Sequence, residues 1–259
     1  MGVALDLRDI DQERVIRRFT SALPHYEDNA VAQHHIGERL IAMLTALGRR
    51  QYNHVLEYGC GTGSFTRRLA QTIDVERWTL NDLCPDCEKY VSVHPASFHA
   101  GPAESMSHAD TYDLIASASA FQWFAHPQGV IRQTASLLRR NGVFLFNTFS
   151  SDNLPEIRTL TDRGLQYPTA AQLEEWLRES FSAVGMEEET IVLDFDSPRE
   201  VLLHLKRTGV TATPENGDVW TPRRFDYFDR AYRERYSTPS GQVTLTYAPL
   251  YFLAERNDE

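Results

Sequence analysis

The chain has 259 residues, 42% of them apolar and 24% charged, with a net charge of −10. That length suits one α/β domain with a sizeable insertion. The acidity argues against general nucleic-acid binding, which depends on neutralising phosphates. No apolar run reaches the roughly 18 residues of a membrane helix. The charged segment Met1–Arg18 lacks the apolar core of a signal peptide, so a cytoplasmic protein is expected.

In chain order, residues 11–45 read as an N-terminal helical cap of one or two helices. His54–Tyr58 is a short apolar strand that stops at a glycine-rich turn. Ser64–Ile73 follows with helical spacing. Arg77–Leu80 is a strand ending at Asn81-Asp82, and Asp113–Ser117 is a third. Val130–Leu138 is helical, Asn141-Gly142 marks its stop, and Val143–Phe149 is another buried strand. Strands alternating with helices imply a parallel, doubly wound sheet. Ser150–Tyr167 reads as polar and irregular, and Ala170–Phe181 as an amphipathic helix. Thr190–Phe195 and Val243–Glu255 read as two late strands able to pair antiparallel at the sheet edge. The stretch between them, 197–240, is too long for a hairpin loop. It is expected to be a helical insertion over the active site, with helices at Pro198–Lys206 and Pro222–Tyr236.

The sharpest motif is Glu57-Tyr58-Gly59-Cys60-Gly61-Thr62-Gly63, set between a strand and a helix. Its glycines permit a tight turn and close approach to a ligand. The spacing is G-x-G-x-G, with serine at 64, and not the G-x-G-x-x-G of dinucleotide binding. A carboxylate at Glu57 suits a cationic amino-acid headgroup better than a pyrophosphate. Asp82, 25 residues on, ends the second strand, where an acid can accept hydrogen bonds from ribose hydroxyls. After the third strand, Ser117 and Ala118 allow close approach. Phe121 and Trp123 are equally suited to the site wall or the core. Cys84 and Cys87 form a lone C-x-x-C, read as two free thiols. With only three cysteines, no disulfide framework or metal site is expected.

From Asn53 to Phe149 these residues resemble the class I S-adenosylmethionine-dependent methyltransferases. The resemblance implies a Rossmann-like, mostly parallel seven-stranded sheet with an antiparallel edge strand, in a single domain spanning 1–259. It implies that Glu57, Gly59, Cys60, Gly61 and Gly63 line the methionine part of S-adenosylmethionine, that Asp82 holds the ribose and that Leu83 packs on the adenine. Ala103 and Glu104 fall in the adenine segment. Pro102 stands where an acid commonly binds the adenine amino group, and it has no side-chain acceptor.

Further pieces resemble the malonyl-acyl-carrier-protein O-methyltransferase family of biotin synthesis. They are Phe19, Tyr26 and Gln33; Ala120-Phe121-Gln122-Trp123; Phe146-Asn147-Thr148-Phe149 with Asn153–Arg158; Leu203–Val210; and Thr246-Tyr247 with Tyr251-Phe252. The resemblance implies methyl transfer to the free carboxylate of malonyl-acyl-carrier protein. Gln33 is then expected at the cofactor, and Tyr26, Gln122 and Tyr167 at the substrate. Arg158 or Arg207 is expected to hold the carboxylate, since arginine binds carboxylates bidentately. A carboxylate is already a nucleophile at neutral pH, so no catalytic base is expected. Acyl carrier proteins are acidic. The segment 197–240 carries eight basic residues and six acids, which leaves the rest of the chain at −12. Docking there is expected through Arg230 and Arg233. A methyltransferase for another small molecule, or a non-catalytic S-adenosylmethionine-binding regulator, would carry the same cofactor motif.

Overall fold

The computed structural model describes residues 12–107, 110–162, 164–210 and 221–256. Two helices come first, α1 (Gln12–Asn29) and α2 (Val31–Ala46). Seven strands then form one sheet: β1 (Gln51–Tyr58), β2 (Asp74–Asp82), β3 (Ala96–Ala100), β4 (Tyr112–Ser117), β5 (Leu138–Phe149), β6 (Ala183–Glu188) and β9 (Pro249–Glu255). Their order is β3-β2-β1-β4-β5-β9-β6. β1 to β5 pair in parallel, whereas β9 runs antiparallel to both β5 and β6. The antiparallel strand therefore lies one place in from the edge, and β6 is the edge strand.

Strand periodicity divides the core. Val143 and Leu145 of β5 point to one face, with Ile36, Leu40, Leu44, Phe65 and Leu69 of α2 and α3 (Ser64–Ala70). Phe144 and Phe146 point to the other. There they meet Ile131 of α4 (Pro127–Leu137) and Leu173 and Leu177 of α6 (Ala170–Arg178). Helices on both faces explain why the central strands are continuous apolar runs. At α6 the sequence also supplies a full capping box, Thr169 with Gln172.

Several expectations are corrected. Val243–Glu255 is not one strand: it breaks at Ala248 into β8 (Val243–Tyr247) and β9. β8 pairs with β7 (Ile191–Phe195) in a separate two-stranded ribbon, not at the sheet edge. The insertion thus lies between the strands of that ribbon, as α7 (Pro198–Arg207) and α8 (Pro222–Tyr236). The polar stretch 150–167 contains α5 (Pro155–Thr161), fixed to the ribbon by buried Glu156. The Glu156 carboxylate accepts from Thr246 Oγ1 at 2.7 Å and from the Thr246 N–H at 3.2 Å. The sequence pattern marks neither β3 nor β6. Asp11, Glu215 and Asp218 lie outside the described residues.

Candidate functional site

Strand order reverses between β1 and β4. In open α/β sheets such a point leaves a crevice outside the strands' carboxyl ends. A cavity of about 810 Å³ occupies this position. Its floor comes from the turns after β1, β2, β3 and β4. Its roof comes from α1 and α7, which pack against each other.

The glycine turn is locked from below. The N–H groups of Gly59 and Cys60 both donate to the Asn81 carbonyl, at 2.8 and 3.0 Å. Gly59 has φ +71°, and a Cβ there would stand 2.2 Å from Ala120 Cβ, so only glycine fits. Asp82 completes the lock: Oδ2 accepts from the Gly61 N–H and Oδ1 from the Cys84 N–H, each at 2.8 Å. Burial raises its pKa, and the two backbone donors oppose the shift. Glu57 is 1% exposed, and its Oε2 accepts from Thr66 Oγ1 at 2.6 Å. Burial pushes its pKa up to about 7; the Thr66 bond opposes this and the Asp82 charge adds to it.

Higher in the cavity stand the neutral side chains Tyr167, Tyr26 and Gln122, with Arg158 among the cations of the wall. Tyr167 accepts from Asn153 Nδ2 at 3.1 Å, and burial pushes its pKa up to about 12. Tyr26 stacks edge-on against Phe19 at 5.3 Å, and burial raises its pKa as well. Gln122 Nε2 donates to the Ser119 carbonyl at 2.7 Å. Gln122 Oε1, Ser119 Oγ and Gln33 Oε1 have no protein partner among the described residues, although all are buried. Such atoms on a cavity wall are available to a ligand. Arg158 lines the same wall and donates from Nη1 to the Ser151 carbonyl.

The cavity gathers Gln33, Glu57, Gly59, Cys60, Gly61, Asp82, Leu83, Ala103, Glu104 and Ala118 from the expected cofactor set. From the expected substrate set it gathers Tyr26, Gln122, Trp123, Arg158 and Tyr167. Four others lie elsewhere. Gly63 caps α3 behind the turn, where a Cβ would stand 3.0 Å from the Tyr90 carbonyl. Ser117 is still in β4 and fully buried. Phe121 is in the core, its ring centroid 4.3 Å from that of Phe146. Arg207 is on the part of α7 that does not line the cavity. α8 is likewise absent from the lining. Its Arg233 pairs with Asp229 at 3.1 Å, and Arg230 donates to the Asp226 carbonyl at 3.4 Å. Phe19, Asn153, Tyr247 and Arg199 line the cavity and were not expected as site residues. The first three lay in segments matched by resemblance, whereas nothing in the sequence marked Arg199. The three cysteines are buried and free.

A family model described as a methyltransferase domain matches residues 32–180. The malonyl-acyl-carrier-protein O-methyltransferase of Porphyromonas gingivalis is 67% identical, covering 98% of this chain and 100% of its own. The protein of the same name from Haemophilus influenzae is 39% identical over 96% of each chain. The chain belongs to this methyltransferase family. The fold is also that of the YcgJ protein of Bacillus subtilis, with a TM-score of 0.61 at 16% identity, covering 86% of this chain and 100% of that one. Among the described residues no helix is long and apolar enough to cross a membrane.

Proposed function

We propose that the chain transfers the methyl group of S-adenosylmethionine to the free carboxylate of malonyl-acyl-carrier protein, in the cytoplasm, as an early step of biotin synthesis. The full-length likeness to the Porphyromonas gingivalis enzyme carries this reading.

The cavity residues fit the cofactor. Glu57 is a buried acid at the floor, suited to an ammonium group. Asp82 has lone pairs left after its two backbone bonds and is suited to ribose hydroxyls. Leu83 and Ala103 offer apolar surface, and the close packing of Ala120 where Gly59 lacks a Cβ holds the glycine turn in place beside it. S-adenosylmethionine supplies the electrophilic methyl group on a sulfonium centre.

The protein's task is then alignment, which is worth roughly 7–11 kcal/mol when the geometry is right. A malonyl carboxylate has a pKa of about 4 and needs no base at neutral pH. Tyr26, Tyr167 and Gln122 are neutral at that pH and orient one carboxylate oxygen without quenching it. Arg158 already gives one N–H to Ser151 and turns the rest of its fork to the other oxygen. Arg158→Ala is expected to lower kcat/KM for malonyl-acyl-carrier protein about a hundredfold. The cofactor Kd should stay within about twofold, since Arg158 is assigned to the substrate alone. An unchanged kcat/KM removes Arg158 from this role.

The reaction itself is tested with labelled S-adenosylmethionine and malonyl-, acetyl- and succinyl-acyl-carrier protein. Transfer to the malonyl form alone is expected. Transfer to none of them, with the cofactor still bound, overturns the substrate and leaves the fold and family standing.

A further inference from the structure

We propose that the exposed cations of α1 and α7 at the cavity mouth, Arg17, Arg199 and Lys206, form the docking surface for the acidic acyl carrier protein. The proposal rests on the function above and adds the place where the carrier binds.

Charge in the cavity is divided by depth. Glu57 and Asp82 are 1% and 6% exposed, which puts them on the floor. Arg17, Arg199 and Lys206 line the same cavity yet are exposed, a combination that defines its mouth. Arg14 and Arg18 line it beside Arg17 on α1. Acids lie deep, where a cationic cofactor suits them. Cations stand at the entrance, on a chain whose net charge is −10.

Among the described residues, Arg17, Arg199 and Lys206 have few partners. Arg199 and Lys206 have no ion-pair partner among the described residues. They stand seven residues apart, two turns along one side of α7. Arg17 reaches Glu13 at 3.6 Å with both side chains exposed, a contact worth little. α1 and α7 pack together, so the three charges belong to one surface. An acidic carrier placed there would present its thioester arm to the opening and leave the carboxylate to the wall below. Complementary charge of this kind speeds encounter and weakens with salt. By contrast, α8 does not line the cavity, so its Arg230 and Arg233 stand away from the opening. Docking therefore moves from α8 to the α1–α7 edge.

The test compares malonyl-acyl-carrier protein with malonyl-pantetheine, which has neither protein nor phosphate, and with malonyl-coenzyme A, which has phosphates alone. The triple variant Arg17→Glu/Arg199→Glu/Lys206→Glu is expected to raise KM for the carrier-linked substrate about tenfold or more. kcat, the KM for malonyl-pantetheine and the cofactor Kd should stay within about twofold, and malonyl-coenzyme A, which has phosphates but no protein, should show a smaller rise than the carrier-linked substrate. Wild-type KM for the carrier-linked substrate should rise with salt, a measurement that needs no variant. The milder Arg17→Gln/Arg199→Gln/Lys206→Gln chain covers the case in which full reversal disturbs folding. Arg230→Glu/Arg233→Glu should leave every value alone. An unmoved carrier KM, an equal shift for the small thioesters, or a larger effect from α8 overturns the proposal. If wild type turns over no malonyl thioester, the activity reading fails. Calorimetric titration with unacylated holo-carrier, which needs no turnover, then decides the docking surface: binding lost in the triple variant upholds it, and binding unaffected overturns it.

Discussion

Glu57 is an ionisable group held where neither charge state is comfortable. Burial lifts its pKa from 4.5 to about 7, and among the described residues only Thr66 offers its carboxylate a side-chain hydrogen bond. A raised carboxylate pKa stabilises the folded chain fully below pH 4.5, and that contribution is lost as pH rises through 7. Bound cofactor reverses the preference, because an ammonium group beside Glu57 favours the ionised form. Affinity for S-adenosylmethionine is therefore expected to strengthen from pH 6 to pH 8, with about half a proton released at pH 7 and close to one at pH 6. Calorimetry in buffers of different ionisation enthalpy measures that proton. Glu57→Gln should bind more weakly at pH 8 and lose most of the slope. A slope that persists in Glu57→Gln means another group carries the effect. Glu57 and Asp82 were legible because their chemistry is tied to a glycine spacing and a strand end. Phe121 and Arg207 were not legible, because core and wall alternate residue by residue in the loop after β4. On α7, similarly, Arg207 differs from Arg199 only in which side of the helix it takes.

At the scale of elements, α7 shows how the roof is anchored. His204 is 6% exposed, its Nε2 lies 2.9 Å from the Tyr247 hydroxyl, and its ring packs 5.1 Å from Phe195. Burial lowers its pKa from 6.5 to about 4, so the imidazole is neutral in the folded chain at neutral pH. The sign follows. Below pH 6.5 the unfolded chain takes up a proton that the folded chain refuses, and stability falls as pH drops toward 4. Thermal melts at intervals of half a pH unit are expected to show this loss, and His204→Gln should show a smaller one. Equal acid sensitivity in the two proteins would assign the effect elsewhere. Elements were legible where two signals agreed: α6 has both an amphipathic face and a capping box, and α7 and α8 begin at Ser197-Pro198 and Thr221-Pro222. β6 (AVGMEE) was hidden because an edge strand has one neighbour and needs no continuous apolar run. β3 was hidden in the same way. The run Val243–Glu255 concealed a break because both halves are buried. Pro249 was the signal, since proline cannot donate to a ladder and sits at strand starts.

Taken whole, the molecule is a sheet whose floor and roof come from opposite parts of the sequence, and one side chain spans them. Phe19 of α1 lines the cavity. A Cβ on Gly61 in the floor would stand 3.3 Å from Phe19 Cζ. A Cβ on Gly209, just past α7, would stand 3.2 Å from Phe19 Cδ2. The ring thus fills the space that two glycines leave open, one in the cofactor turn and one at the end of the roof. Its edge-on contact with Tyr26, at 5.3 Å, extends that packing to the substrate side. Aromatic pairs of this geometry contribute about 0.5–1.5 kcal/mol beyond buried area. Removing the ring should loosen the cofactor turn, the roof and Tyr26 together, although Phe19 bears no charge and makes no hydrogen bond. Phe19→Ala is therefore expected to weaken the cofactor Kd and to raise KM for malonyl-acyl-carrier protein, each about tenfold, with kcat also reduced. Phe19→Leu, which keeps most of the volume, should recover much of the cofactor affinity. A purely local role would move the cofactor Kd alone. If Phe19→Ala leaves KM and kcat for the carrier substrate unchanged, floor and roof act independently.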